Sequence, residues 1–334
     1  MGGKDDILDW LRAAGLARAD ETPVLTPLSG GVSSDVFRAD LASGPICVKR
    51  ALEQLKVAAD WQAPVERSAY EAAYLRAAAD LGGPVLPRVL AEDADRHLFA
   101  MTWFEPADHP VWKAELAAGR VDPTFARTLG AGLARVHSRT ARDAAIAAAF
   151  DTTPLFDALR LAPYLEHTAQ AHPDIAPRLR NLAETTRSHR LALVHGDVSP
   201  KNILVGPTGP VLLDAECAWY GDPAFDIAFC ANHLLLKAVW KPAHAAAFAE
   251  AFGALLDGYL AGVDWEAPGD LEARAAPLLA GLLLARVDGK SPVEYLTDPR
   301  DKATVREAAV AVLTRDTGRF ADVRNALHQH LGAR

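Results

Sequence analysis

Cysteine is scarce in this chain of 334 residues: there are three, and no two of them form a CxxC pair. Cys47, Cys217 and Cys230 each lie in an apolar run, which predicts buried free thiols in a reducing compartment rather than a disulfide framework, a zinc site or a redox dithiol. Long hydrophobic runs are missing as well. No window of about 18 apolar residues escapes a charge, so no membrane span is expected. The first twenty residues, MGGKDDILDWLRAAGLARAD, place acids where a secretory leader has a basic flank and an unbroken apolar core. Basic stripes are lacking: 35 Lys and Arg face 43 Asp and Glu, for a net charge of −8. Nucleic acid and anionic membrane are therefore poor partners. There is no internal repeat and no low-complexity linker. The expectation is a cytoplasmic globular protein.

What is present is a chain too long for one ordinary core, with two different textures along it. Residues 5–19 read as an amphipathic helix with Ile7, Leu8, Leu11 and Leu16 near one face. Strand-like segments at 36–39 and 46–49 flank the turn Ser43-Gly44-Pro45, after a Gly-Gly turn. A helical pattern covers 65–82 and ends at Gly82-Gly83, and VLPRVLAED and HLFAMTWFE read as two more strands. Pro106 and the polar ADHP mark a junction. This predicts an α+β chain, with a small sheet and one long helix over 1–104 and a mostly helical part over 105–334. In the latter, PTFARTLGAGLARVHSRTARD, LFDALRLAPYLEHTAQ and IAPRLRNLAETTRSH read as helices, and NILVGPTGPVLLDAE as a hairpin.

Polar chemistry gathers in VHGDVSPKNILV, residues 194–205, which holds His195, Asp197, Lys201 and Asn202. Asp214 ends the apolar strand 211–213, where a carboxylate is costly unless something binds it. Magnesium carrying a polyphosphate suits that position, since Mg²⁺ takes hard oxygen ligands, one or two of them carboxylates. Kinase active sites run in a set order: glycine turn, strand lysine, helix acid, catalytic Asp, then an Asn five residues on, then a strand-end metal Asp. The same order occurs here, with Lys49 on ICVKR, Glu71 (or Glu66) on the long helix, then Asp197, Asn202 and Asp214. In that reading Asp197 accepts the proton of an acceptor hydroxyl, Asn202 and Asp214 hold metal, and Glu71 orients Lys49 toward nucleotide.

On these residues the chain resembles the aminoglycoside phosphotransferase and choline kinase superfamily, small-molecule kinases with a two-lobe protein-kinase-like fold. His195-Gly196-Asp197 matches the superfamily's HGD, and GDPAFDIA (221–228) and LGAGLARVH (129–137) are similar to its flanking segments. The resemblance spans about residues 22–300. It implies a small antiparallel-sheet N-lobe, a helical C-lobe, and ATP- and Mg²⁺-dependent phosphorylation of a small-molecule hydroxyl by a monomer or homodimer. It also implies that the donor base is read near Met101, Trp103 and Phe104. The turn SGGVSSDVF is not GxGxxG, so Ser29, Gly30, Gly31, Val32, Ser33 and Ser34 are assigned to the phosphate loop on position and on their free backbone N–H groups. Asp214-Ala215-Glu216 replaces Asp-Phe-Gly and resembles the choline and methylthioribose kinase form, which adds Glu216 to the expected metal residues. AECAWYGDPAFDIAFCANHLLL is most similar to methylthioribose kinases. Those chains are generally longer and tend to carry adjacent arginines near the sugar, where this one has Arg286-Val287. Methylthioribose or another sugar, an amino alcohol such as choline, or an aminoglycoside are the acceptor classes implied.

Blander roles stand beside these. His195 is expected to anchor the loop, Asp226 to tie its backbone from below, and Asp222 to form a turn; Lys201 points at phosphate or simply at solvent. Trp103, Trp112, Trp219, Tyr220, Trp240 and Tyr259 are either core or a box for a quaternary ammonium. Residues 285–296 either wall an acceptor pocket through Arg286, Asp288 or Lys290, or form only a loop. Two other functions fit part of the pattern. A metallohydrolase would use His195, Asp197, Asp214 and Glu216 as ligands but leave Lys49 and Asn202 idle. A catalytically inactive nucleotide-binding protein would need none of the four intact groups. A protein kinase lacks room for an activation loop between Asp214 and Gly221.

Overall fold

A computed structural model describes residues 4–28, 34–52, 64–315 and 318–332. The expected glycine turn lies outside the described residues except for Ser34. Five strands form one antiparallel sheet in the order β1-β2-β3-β5-β4: β1 Val24–Pro27, β2 Ser34–Leu41, β3 Gly44–Ala51, β4 Val89–Asp93 and β5 Leu98–Thr102. Side chains alternate across a strand, and in β3 this sends Ile46 and Val48 to one face and Cys47 and Lys49 to the other. The first face packs with Ile7, Trp10 and Leu11 of α1 (Lys4–Ala13). The second packs Cys47, with Phe99 and Met101 of β5, against Ala72 and Leu75 of α2 (Arg67–Ala77). The lysine is thereby turned toward the α2 side.

Both helices are shorter than their sequence patterns. α1 stops before Gly15, whose φ of +72° suits glycine and ends the helix. α2 ends at Ala77, and the chain runs on to Val85, which bridges Val211; Pro87, which has no N–H to give a ladder, separates that bridge from β4.

The rest is mainly helical. Helix Pro123–Thr140 is capped by Asp122, whose carboxylate accepts from the Thr124 N–H at 2.8 Å. It crosses helix Ala245–Leu260 at Gly130 and Gly258. The expected helix at LFDALRLAPYLEHTAQ is interrupted: residues Asp157–Glu166 are π-helical. Pro163 within this stretch has no N–H to donate, and the Arg160 guanidinium donates to the Leu159 carbonyl at 2.7 Å. The hairpin β7 Ile203–Gly206 and β8 Gly209–Leu212 forms where expected, and β6 Ala192–Val194 pairs with β9 Trp219–Gly221, a strand that the sequence did not announce. Helix Ala224–Trp240 runs through the core, buried along nearly its whole length. Among the described residues no helix is long and apolar enough to cross a membrane. All three cysteines are buried and free.

Candidate active site

The hairpin sets the site. Ile203 pairs with Leu212, so Asn202 and Leu213 meet just beyond the ladder, where the Leu213 N–H donates to the Asn202 carbonyl at 2.8 Å. Two residues twelve apart in sequence, Asn202 and Asp214, are thus carried side by side. Asp214 has a left-handed backbone, φ +65°, uncommon for a residue with a side chain and found where the surroundings over-determine it. Its carboxylate meets the Lys49 ammonium. Lys49 also donates to Glu71 of α2, at 2.6 Å, with Glu71 only 1% exposed. Glu71 rather than Glu66 is the helix acid. Burial lowers the pKa of Lys49, but Asp214 and Glu71 outweigh it and raise it well above the ordinary value. Burial pushes Glu71 up, to about 7, with Lys49 pulling the other way. Burial likewise works against ionised Asp214, yet Lys49 and Lys201 hold it well below the usual carboxylate range.

Asp197 follows Gly196, which has φ +78°, and a Cβ there would lie 2.6 Å from the Cys217 carbonyl oxygen. The loop backbone is pinned from below as expected. Asp226 accepts from the N–H groups of His195 and Gly196, both at 2.8 Å, and contacts His137 Nε2 at 3.2 Å. His195 behaves as an anchor, its ring edge-on to Tyr74 and its Nδ1 accepting from the Asp197 N–H at 3.2 Å. The Asp197 carboxylate, 3% exposed, receives three donors on Oδ2: Asn202 Nδ2 at 2.9 Å, Arg160 Nη2 at 3.0 Å and Lys201 Nζ at 3.1 Å. Burial would raise its pKa, but Lys201 and Arg160 more than offset that and keep it below the ordinary value. Lys201 is therefore neither idle nor aimed only at solvent.

Lys49, Glu71, Arg160, Asp197, Lys201, Asn202 and Asp214 line one cavity of about 810 Å³ between the sheet and the helical part, together with Ser34, Met101, Trp103, Phe104 and Glu216. The chain leaves β5 after Thr102, which sets Trp103 and Phe104 on the wall. Glu216 is engaged by Arg67 Nε at 3.2 Å, so this expected metal residue enters the site as half of an ion pair. Asp222 is a turn former, its Oδ1 accepting from the Ala224 N–H at 3.0 Å and its carboxylate paired with Arg274. Of the segment 285–296, Arg286 lines the cavity, whereas Asp288 is bound to Arg306 and His172. The aromatic residues do not form a box. Trp219 stacks on Phe156 in the core with centroids 4.0 Å apart, Trp112 and Tyr259 are buried, and only Trp103 of the six lines the cavity.

The four ligands that a metallohydrolase would need do not converge. Among the described residues no three His, Cys, Asp or Glu side chains are placed to share a metal. What the arrangement offers instead is a cavity with oxygen donors at Asp214 and Asn202, a buried cation at Lys49, and an ionised carboxylate at Asp197 beside them. Arg160 is the group that sequence reasoning missed. Its signal was a lone arginine between Leu159 and Leu161, shortly before a proline, in an otherwise apolar helical pattern.

A model of the phosphotransferase enzyme family matches residues 24–271. A methylthioribose kinase of Pectobacterium atrosepticum is 28% identical over 262 residues, 70% of this chain and 65% of that protein. The chain thus spans less than two thirds of the length of the curated relatives it matches. Among solved structures, a choline/ethanolamine kinase family protein from Mesorhizobium loti superposes with a TM-score of 0.55 at 18% identity, over 98% of this chain and 99% of that one. An amicoumacin kinase in complex with AMP-PNP, Ca²⁺ and Ami gives a TM-score of 0.55 at 14% identity, over 96% of each chain. At such identities the likeness is one of fold: a two-lobe, protein-kinase-like architecture with a five-stranded antiparallel sheet and a mostly helical remainder.

Proposed function

The chain belongs to the phosphotransferase enzyme family, and we propose that it transfers a phosphoryl group from ATP to a hydroxyl of a small molecule. One observation carries the reading: Lys49 from the sheet reaches Asp214 from the helical part, in the cavity that also holds Asp197 and Asn202. Residues 1–104 would serve as the nucleotide-binding part, with Ser29 to Ser34 over the phosphates and Met101 to Phe104 against the base. Residues 105–334 would supply the catalytic loop and the acceptor-binding helices.

The residues present suit Mg²⁺ with a nucleotide. Asp214 presents its carboxylate to the cavity, and Asn202 uses Nδ2 for its hydrogen bonds to Asp197, which leaves Oδ1 as a second hard oxygen. Asp214 and Asn202 would hold the ion, with Glu216 close behind. Bound there, it would neutralise phosphate charge and fix the phosphoryl group in line. Lys49, steadied by Glu71, would bind the phosphates. Asp197 would orient the acceptor hydroxyl and accept its proton as the oxygen bonds to phosphorus and the bond to the ADP oxygen breaks.

The test is ADP formation by the purified protein with ATP and Mg²⁺ against methylthioribose, other sugars, amino alcohols and aminoglycosides, with Asp197→Ala alongside. Acceptor-dependent ADP that falls by about 10²-fold or more in the variant is expected. ATP binding without transfer to any acceptor would favour the inactive nucleotide-binding reading. Metal-dependent hydrolysis without ATP binding would favour the hydrolase.

A further inference from the structure

Helix Ala224–Trp240 buries a lysine without an anion. Lys237 is 1% exposed and lines the cavity. Among the described residues its ammonium makes no hydrogen bond or ion pair; Nζ lies 4.3 Å from the Tyr295 ring centroid and 5.2 Å from that of Trp240. A charge so placed is costly until an anion reaches it. Burial and then Lys113 pull its pKa down, to about 8, against Glu294. One turn earlier on the same face is His233, 6% exposed, whose buried Nε2 has no hydrogen-bond partner. Arg286, from helix Pro268–Asp288, donates Nη1 to the Tyr164 hydroxyl at 3.2 Å and to the Ser291 hydroxyl at 3.1 Å, while its buried Nε has no partner. No carboxylate pairs with these three groups among the described residues. The acid on this side of the cavity, Glu294, is taken by Lys113 at 2.5 Å.

We propose that Lys237, Arg286 and His233 form an anion site, and that the acceptor carries a carboxylate or a phosphate as well as the hydroxyl that faces Asp197. The inference rests on the phosphotransferase reading and names its substrate class. The spacing suits a compact acceptor. Arg160, which pairs with Asp197, stands 5.7 Å over the Phe229 ring, and Phe229, His233 and Lys237 follow at four-residue intervals. The anion thus sits about 6–12 Å along the helix from the level of Phe229. A cationic acceptor meets like charge here. The rings beside this site, Tyr295 and Trp240, already have the Lys237 ammonium near their faces.

Calorimetric titration of the full chain tests this, with gluconate and glucose 6-phosphate as carboxylate and phosphate probes, glucose as the neutral probe, and choline and kanamycin as cationic probes. Wild type, Lys237→Met, Arg286→Met and the charge-keeping Lys237→Arg are compared. At least one anion is expected to bind about tenfold or more tighter than glucose, and both methionine variants to lose that margin. Lys237→Arg should keep part of it. The melting temperature of Lys237→Met should not fall, because the substitution removes a buried unpaired charge and keeps the packing. Tighter binding of glucose, choline or kanamycin overturns the proposal, as does an anion affinity unchanged in Lys237→Met, or no anion binding at millimolar concentration. Adding ATP and Mg²⁺ separates the two readings. Anion binding without ADP formation would leave the anion site standing and remove the phosphotransferase; ADP formation with only neutral or cationic acceptors would do the reverse.

Discussion

Asp197 is buried and yet held ionised, and the cause is the pair of cations on its Oδ2, Arg160 and Lys201. Arg160 also donates to the carbonyls of Gly196, at 2.5 Å, and Leu159, so it steadies the loop as well as the charge. In the proposed mechanism Arg160→Met leaves burial less opposed, and the Asp197 pKa rises. The acid limb of the pH–rate profile should then move to higher pH, and kcat at neutral pH should drop by about tenfold or more. Lys201→Met should shift the limb in the same direction. A profile unchanged in both variants would show that these cations do not set the charge of Asp197. At this scale Lys49, Glu71, Asp197, Asn202 and Asp214 could be chosen from sequence because their order and spacing form one pattern. Arg160, Lys237 and His233 could not, because each is an isolated residue in an apolar helical stretch whose facing partner lies elsewhere in the chain.

Elements matter here mainly through what they bring close. The two-residue turn of the β7–β8 hairpin fixes the register that puts Asn202 beside Leu213, and the π-helical turn around Pro163 aims Arg160 at Asp197. Helix Pro123–Thr140, which carries His137 to Asp226, lies against helix Ala245–Leu260 so closely that a Cβ at Gly130 would stand 2.1 Å from the Leu255 carbonyl oxygen. Gly130→Ala should therefore destabilise the fold by about 2 kcal/mol or more despite the better helix propensity of alanine. Gly253→Ala, on the same partner helix with nothing within 4 Å of the added Cβ, should stabilise by about 0.5–1 kcal/mol. Denaturant unfolding of the two variants compares them. Equal effects would mean that the crossing is looser than its geometry. Strand and helix identities were legible here from periodicity, whereas the π-helical stretch and β9 were not. β9 takes its partners from β6, distant in sequence, and the π-helical stretch carries Pro163 inside it, which the apolar periodicity does not register.

Across the whole molecule, the sheet and the helical part meet over the cavity, and the Lys49–Asp214 contact spans it. A ligand held from both sides should stabilise the chain as a unit. AMP-PNP with Mg²⁺ at about 100 times its dissociation constant would add about 2.7 kcal/mol, seen as a rise of several degrees in melting temperature. Lys49→Met should lose most of that rise. No shift in the wild type would argue against nucleotide binding in this cavity.

Several things followed from the sequence alone: the α+β class, a small antiparallel sheet followed by a mostly helical part, the Lys49–Glu71 pair, and the hairpin that delivers Asn202 and Asp214. The strands, helices and hairpin are matters of short-range pattern, because alternation in a strand, spacing on a helix and turn residues act within a few positions; the Lys49–Glu71 pair followed instead from the order of residues shared with kinase active sites. The tertiary structure decided which cations surround Asp197, that Glu216 is taken by Arg67, and that Lys237, His233 and Arg286 share one wall where, among the described residues, no carboxylate pairs with them. Those outcomes depend on groups up to about 150 residues apart being packed face to face, and charge in a buried site is governed by what packing brings within a few ångströms.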